Sequence, residues 1–361
     1  MDYRARRQKA YEQATALGAD ALLITHLPDA FYLTGFTGSN AVVVLTKRGA
    51  TLFTDGRYIV QAREEARGIR VVIAKKSALL EACAAVAAQN IKQCGFDSDH
   101  TTVAMLDAMR RAVPAPRRRS FFVKTPALVA RIREVKQPEE IAKMQRSALL
   151  GCRLFDELLP DISPGMRESE VAAKLEYRAR IAGASGMSFP TIVAAGPRSA
   201  LPHGEASNAR IPRRGFVVLD FGVILDGYCS DMTRTVYVGS IQRDEQAAYE
   251  AVLAAQENAV AAVRADVSCG DVDEAARSVL RREKLDRYFT HSTGHGVGIE
   301  IHEGPRIAAR QQQRLVPGMV ITIEPGIYIG GKFGIRIEDM VRVTEKGSEI
   351  MTPATKALIT L

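Results

Sequence analysis

Hydrophobic and polar positions in the first third of the chain alternate between helical and extended patterns. Apolar residues recur at helical spacing in some segments, while β-branched runs bounded by turn residues are typical of strands. The predicted elements are a helix at 4–17, a strand at 21–25, a hairpin with strands at 41–46 and 51–54, a helix at 59–66, a strand at 71–74, a helix at 77–90 and a short strand at 94–97. This alternation predicts an α/β domain over residues 1–125.

A proline- and arginine-rich stretch at 113–120 separates this domain from a second one, predicted over residues 126–361. Pro138 begins a helix, with Glu139 and Glu140 in the first turn, where carboxylates favour the helix dipole. Further helical patterns begin near residues 167, 243 and 271. The rest of the second domain is β-rich and punctuated by glycine, so its predicted class is α+β.

Residues 217–238 form a predicted hairpin with a carboxylate in each arm. Asp226-Gly227 at its centre is a preferred pair for a two-residue type I′ turn. That turn opposes Asp220 to Thr233 and Gly222 to Asp231, with both aspartates on one face. Exposed strand aspartates are common, but each of these interrupts an apolar arm, and two adjacent anions need a cation between them.

Residues 320–343 repeat the arrangement. A three-residue loop at Gly330-Gly331-Lys332 sets Glu324 opposite Glu338, and Arg336 and Tyr328 share their face. Segments 215–222 and 318–326 also share a pattern of glycine, apolar strand, acid, and a second glycine two residues later. We infer an internal duplication that brings two acid-bearing hairpins to one site.

Four carboxylates with a nearby imidazole favour a hard, oxygen-rich metal site over a salt-bridged structural cluster. Two cations about 3.5–4 Å apart, bridged by carboxylates, form the usual dinuclear hydrolase arrangement. The nitrogen ligand of choice is His295, between two glycines that allow close backbone approach. Neutral imidazoles beside such a site, from His203, His291 and His302, could hold substrate, stabilise an oxyanion or relay protons.

Composition excludes several other classes of function. The net charge is +8, but the basic residues are scattered, the chain has no tryptophan, and no aromatic residues alternate with basic clusters. We therefore expect no nucleic-acid partner. No apolar run approaches the roughly 18 residues of a membrane span, and no export signal is evident, so we expect no membrane association. Five cysteines without a CxxC pair favour a reduced, cytoplasmic protein.

Four motifs resemble a known family. DFGVILDGYCSDMTRT, HSTGHGVGIEIHE, EPGIY and GIRIED, in this order, resemble the pita-bread metallopeptidases, and within them the proline-specific branch of Xaa-Pro aminopeptidases and Xaa-Pro dipeptidases (prolidases). The resemblance covers about residues 130–361. FYLTGFTGSNAVVVL and TDGRY are similar, less specifically, to the creatinase-type N-terminal domain. The implied fold is a C-terminal pita-bread domain of duplicated αββ units behind an N-terminal creatinase-like α/β domain.

The resemblance also implies roles for individual residues. Glu324 would shuttle the proton of the nucleophilic water as well as bind metal. His203 and His302 match catalytic histidines, His291 a substrate-binding histidine, and Arg336 an arginine near the substrate or a metal-ligand carboxylate. Phe189 stands where some relatives carry a tyrosine. The implied ligands of two divalent ions, manganese first with cobalt and zinc as options, are Asp220, Asp231, His295, Glu324 and Glu338.

The expected activity is hydrolysis of Xaa-Pro bonds at the N-terminus of short peptides, an Xaa-Pro aminopeptidase, by a homodimer. A prolidase restricted to dipeptides is the alternative, and it would differ in how it binds the C-terminal end of the substrate. A metal-free creatinase-like enzyme would lack several metal ligands, whereas all five are present. A non-enzymatic scaffold on the same fold is a remote alternative, because a fold alone does not fix function.

Overall fold

The computed structural model describes all 361 residues, which form two compact units, Met1–Arg133 and Glu134–Leu361. The elements of the first unit are α1 (Tyr3–Ala16), β1 (Ala21–Ile24), α2 (Leu27–Thr34), β2 (Val42–Thr46), β3 (Gly49–Asp55), α3 (Ile59–Glu65), β4 (Arg70–Ala74), α4 (Ala78–Ala87), β5 (Cys94–Asp97), α5 (Val103–Arg111), β6 (Phe122–Thr125) and α6 (Leu128–Arg133).

The first unit is built on a six-stranded mixed sheet in the order β4-β3-β2-β1-β5-β6. The β2–β3 hairpin is antiparallel, and β5 and β6 continue the sheet parallel to β1. The units divide eight residues beyond the predicted boundary at 125/126. This is because α6 packs against α1 and α2, and Arg133 forms a buried ion pair with Asp29, so the segment belongs to the first unit.

The second unit contains four long helices and strands that form four small sheets. Its elements are α7 (Pro138–Leu158), α8 (Glu168–Ile181), β7 (Gly186–Met187), β8 (Ile192–Ala195), β9 (Gly215–Phe221), β10 (Val223–Leu225), β11 (Tyr228–Cys229), β12 (Met232–Val238), α9 (Arg243–Ala262), α10 (Cys269–Arg282), β13 (Gly294–Gly296), β14 (Glu303–Ile307), β15 (Val320–Ile323), β16 (Gly326–Ile329), β17 (Phe333–Arg336), β18 (Asp339–Val343) and β19 (Ser348–Ile350).

A pair of helices followed by a long hairpin occurs twice in this unit, which agrees with the predicted duplication and adds one helix to each predicted αββ unit. One core packs α7 and α8 against β8, β9 and β12, and the other packs α9 and α10 against the strands around β15 and β18. Each pair of helices therefore covers the apolar face of one hairpin, and the opposite faces are left for polar side chains. This confirms the α+β pita-bread architecture.

The two hairpins meet edge to edge. The backbone N–H of Glu338 donates to the carbonyl of Thr233 (3.1 Å), and the Thr235 hydroxyl donates to the carbonyl of Arg336 (2.8 Å). The acid-bearing positions of both hairpins are thereby brought to one place. None of the ten helices combines the length and apolarity that a membrane crossing needs.

Candidate metal centre

The register of the first hairpin is as predicted. Asp226 and Gly227 both have positive φ (53° and 79°), as a type I′ turn requires. Asp220 lies opposite Thr233, and the same register runs from Leu225↔Tyr228 at the turn to Gly215↔Val238 at the far end. Gly222 leaves no room for a side chain, since a Cβ there would lie 1.7 Å from the carbonyl oxygen of Ser230.

The register of the second hairpin is also confirmed. Ile323 pairs with Asp339 and Gly326 with Arg336, so Glu324 faces Glu338 across the hairpin. Both glutamates are on the side that meets the first hairpin. The hydroxyl of Thr233 donates to Glu338 Oε2 at 2.7 Å, which fixes that carboxylate against β12.

The predicted ligands converge. Asp231, His295 and Glu338 each place one ligand atom within 4.8 Å of the others. His295 Nε2 lies 3.6 Å from Asp231 Oδ2 and 3.6 Å from Glu324 Oε1. Asp220 Oδ1 is buried without any hydrogen-bond donor. A buried carboxylate oxygen needs a partner, and a bound cation would provide one. The oxygen-rich donor set with one imidazole fits divalent ions.

The tautomer of His295 is fixed by the backbone. Nδ1 lies 3.0 Å from the carbonyl of Gly296, so it carries the proton and donates it there. Nε2 is then an unprotonated donor atom aimed at the carboxylates, which is the arrangement of metal-ligating histidines. Burial lowers the pKa of His295 to about 4, so the imidazole is neutral at pH 7.

The centre carries more negative than positive charge. Burial, followed by the repulsion of Glu338, raises the pKa of Asp231 well above its usual range, and burial followed by Glu324 does the same for Glu338. Burial raises the pKa of Glu324 to about 7. Only one side-chain cation, Arg336, is bonded to this group of acids. Three buried carboxylates and the partly exposed Glu324 around one guanidinium require further positive charge, which divalent cations would supply.

The resemblance placed Arg336 near the substrate or a metal-ligand carboxylate, and its guanidinium is bonded to such a carboxylate, Asp220. His291, expected to bind substrate, lines the same cavity and is hydrogen-bonded within the protein. Arg336 bonds to Asp220 and Thr233 and donates to the Tyr328 hydroxyl (2.7 Å). His291 Nδ1 donates to the carbonyl of Ser292 (2.8 Å), so Nε2 accepts from the Tyr328 hydroxyl (2.9 Å). Arg336 orients Asp220 directly, and His291 contributes through Tyr328. Both ring nitrogens of His291 have hydrogen-bond partners within the protein.

All predicted site residues line one cavity of about 500 Å³. His302 packs edge-on against His295, with ring centroids 4.5 Å apart, and burial lowers its pKa, so it is a neutral hydrogen-bond donor. Arg306, which was not predicted from the sequence, is an exposed arginine that lines the cavity and makes no side-chain hydrogen bond or ion pair. It reaches the cavity because it pairs with His295 across β13 and β14. The apolar walls are Phe189, Pro190, Ile192, Pro202 and Ile301.

The loop that carries His203 is anchored by Glu168, the first residue of α8. This fully buried carboxylate accepts from the Ala195 backbone (2.9 Å), the Arg198 guanidinium (3.0 Å) and the Ser207 hydroxyl (2.6 Å). It therefore joins both arms of the loop, with His203 between them. Three or more donors to one carboxylate fix its position, and with it the arms of the loop.

We expect Glu168→Gln to lower kcat/KM by about 10- to 100-fold, because a displacement of about 1 Å at a reacting group can cost that much. In steady-state kinetics, the double variant with His203→Ala should be no slower than His203→Ala alone. Glu170→Gln is the matched control on the same helix, since Glu170 caps the helix at Arg167 without touching the loop. If the kcat/KM losses of Glu168→Gln and His203→Ala multiply in the double variant, Glu168 does not act through His203.

Two family models match the chain. The metallopeptidase family M24 model matches residues 142–345, and the creatinase/prolidase N-terminal domain model matches residues 6–135. An Xaa-Pro dipeptidase of Pyrococcus horikoshii is 35% identical over 94% of each chain. An Xaa-Pro dipeptidase structure from Bacillus anthracis has a TM-score of 0.96, 38% identity and full coverage of both chains. An X-Pro aminopeptidase structure from Thermotoga maritima has a TM-score of 0.89 and 36% identity over 97% of this chain and 100% of its own.

Proposed function

Because the chain belongs to metallopeptidase family M24, we propose that it is a two-metal Xaa-Pro dipeptidase that hydrolyses dipeptides with proline in the second position. The motifs alone favoured an aminopeptidase, but the names of the similar dipeptidases support the alternative. The observation that carries the proposal is the open guanidinium of Arg306 on the wall of the metal cavity.

The proposed ligands of the two ions are Asp220, Asp231, His295, Glu324 and Glu338, with manganese the first choice and cobalt or zinc as options. As the family resemblance implies, Asp231 and Glu338 would be shared by the two ions, and one ligand atom each of Asp231, His295 and Glu338 lies within 4.8 Å of the others. When bound, two divalent cations would supply an activated water near neutral pH and polarise the scissile carbonyl.

The protein's own groups then move the proton and hold the carbonyl. Glu324, a carboxylate that lines the cavity beside His295, would accept a proton from the attacking water and return it to the proline nitrogen as the C–N bond breaks. The proline nitrogen then leaves as a neutral secondary amine, since protonation makes it a good leaving group. His302, a neutral imidazole on the cavity wall, can donate to the developing oxyanion, and His203 is placed on the same wall.

Arg306 distinguishes the dipeptidase from the aminopeptidase. The free carboxylate of a dipeptide lies one residue beyond the scissile bond, whereas a longer peptide continues with a neutral amide. Arg336 is also in the cavity, but it is buried and bonded to Asp220, Thr233 and Tyr328. A guanidinium that has no protein partner can bind a carboxylate with two parallel hydrogen bonds.

We expect the wild-type enzyme to cleave an Xaa-Pro dipeptide at least about 10-fold faster, in kcat/KM, than the same dipeptide with a C-terminal amide. Arg306→Met should remove that preference, because a hydrogen-bonded charge pair contributes about 1.5–3 kcal/mol. Cleavage of the amide should be unchanged. Arg310→Met, an exposed arginine four residues along the chain and outside the cavity wall, is the matched control.

An aminopeptidase remains the second candidate, favoured by the likeness to the Thermotoga maritima enzyme. Equal kcat/KM for the dipeptide, its amide and an Xaa-Pro-Yaa tripeptide would identify that activity and reject the dipeptidase. The same result would contradict the proposal that Arg306 binds the free carboxylate of a dipeptide.

A further inference from the structure

A second charged cluster lies behind the metal centre, on the other face of the same strands. Arg234 follows Thr233 in β12, and Asp339 follows Glu338, so strand alternation points both side chains away from the cavity. Their ion pair is 2.7 Å long, and their side chains are 2% and 0% exposed. Lys356 Nζ, from the C-terminal segment, completes the cluster at 2.8 Å from Asp339.

One nitrogen of Arg234 joins the two hairpins directly. Nη1 donates to the carbonyl of Thr233 (2.9 Å) and also to the carbonyl of Glu338. On the front face, the Thr233 hydroxyl donates to Glu338 Oε2. The backbone and the carboxylate of Glu338 are thus both fixed to β12, which also leads to Asp231. Asp231 and Glu338, the carboxylates proposed to be shared by the two ions, are therefore carried by backbone segments that this contact joins.

The C-terminal segment supplies the remaining partners of the cluster. Arg234 Nη2 donates to the carbonyls of Thr352 (3.0 Å) and Ala354 (2.8 Å), and Nε to that of Thr355 (3.0 Å). Asp339 accepts from the Thr352 hydroxyl (3.0 Å) and from Gln256 (2.9 Å). Every nitrogen of the guanidinium therefore has a defined acceptor, and only a planar fork can reach them all.

A buried ion pair often contributes little net stability, because desolvation of both charges offsets their attraction. Hydrogen bonds behind metal ligands, in contrast, commonly affect metal affinity by about 10- to 100-fold. We propose that Arg234 and Asp339 are positioning residues that hold Glu338 against Asp231, so that the centre binds its second divalent cation. This inference rests on the two-ion site of the proposed function but is independent of which peptide is cleaved.

The test is titration of the metal-stripped full-length protein with Mn²⁺ by calorimetry, followed by the electron paramagnetic resonance signal of coupled manganese pairs. The wild type should bind two ions per chain. Arg234→Met and Asp339→Asn should bind the first ion within about threefold of wild type, and the second about 10- to 100-fold more weakly, with loss of the coupled signal. Arg234→Lys should show the same loss, because lysine keeps the charge and lacks the fork.

Arg342→Met is the matched control, since it removes an exposed Arg342–Glu349 ion pair from the same strand β18. It should bind two ions as the wild type does. If Arg234→Met does not fold, Asp339→Asn and Arg234→Lys decide the question. Folded variants that bind two ions with wild-type affinity would overturn the proposal even if their melting temperatures fall. A wild type that binds two ions without peptidase activity would instead reject the proposed function alone.

Discussion

Asp231→Asn should lower kcat/KM for Xaa-Pro dipeptides by at least about 10³-fold, because it removes a proposed bridge between the ions and with it the activated nucleophile. Asp231 is buried and its Oδ2 lies 3.6 Å from His295 Nε2, so the substitution acts at the centre itself. The measurement is steady-state hydrolysis with saturating Mn²⁺, with metal content determined on the same sample. Asp226→Asn, at the exposed turn of the same hairpin, is the control.

The same substitution should not destabilise the chelated protein. Burial and the neighbouring Glu338 raise the pKa of Asp231 in the folded state above its unfolded value. A carboxyl group shifted in this direction binds protons more tightly when folded, so its ionisation at pH 7 opposes folding. Asparagine removes that cost, and with chelator present the melting temperature should equal or exceed that of wild type. If the melting temperature of Asp231→Asn with chelator is instead below that of wild type, the lost activity would be explained by destabilisation of the fold.

Arg336→Met should have the largest effect on stability. Arg336 is 4% exposed and bonds to Asp220, Thr233, Tyr328 and the carbonyl of Pro202. Breaking one half of a buried ion pair typically costs about 3–5 kcal/mol, because the other charge is left uncompensated. For a unit of this size that lowers the melting temperature by roughly 6–20 °C. The loss should be larger with chelator than with Mn²⁺, since a cation would compensate Asp220.

Arg306→Met provides the matched control for this stability measurement. Both arginines line the same cavity, but Arg306 is exposed and makes no side-chain bond. Its loss should leave the melting temperature unchanged within about 1 °C, since surface substitutions usually change stability by less than about 0.5 kcal/mol. Equal melting temperatures for Arg336→Met and wild type would show that the ion pair between Arg336 and Asp220 does not stabilise the fold.

Both acid-bearing hairpins could be predicted from sequence because their registers depend on local chemistry. Asp226-Gly227 fixes one turn and Gly330-Gly331-Lys332 the other, and the alternation of side chains along a strand then decides which face each acid occupies. In the first unit, the β2–β3 hairpin and the longer helices were predictable for the same reason. The helices α2 (eight residues) and α5 (nine residues) were not predicted, whereas the shorter α3 was, so helices of about two turns give an unreliable periodic signal.

Contacts between distant segments account for what the sequence did not reveal. Arg306 faces the cavity only because β14 pairs with β13, and nothing near it in the sequence distinguishes it from the other basic residues. Tyr328 and Arg336 were predicted on one face of the second hairpin, whereas the hydrogen bond between His291 and Tyr328 joins that hairpin to a separate loop and could not be predicted. The division of the units after Arg133 depends on an ion pair with Asp29, 104 residues away.

The central claim is that two divalent ions at this centre make the chain a proline-specific dipeptidase. The most direct test strips the full-length protein of metal, adds Mn²⁺ in steps, and follows bound metal and hydrolysis of an Xaa-Pro dipeptide together. We predict no hydrolysis without metal and full activity as the second ion binds. Two ions bound per chain, with no cleavage of an Xaa-Pro bond in the presence of manganese, cobalt or zinc, would contradict the account.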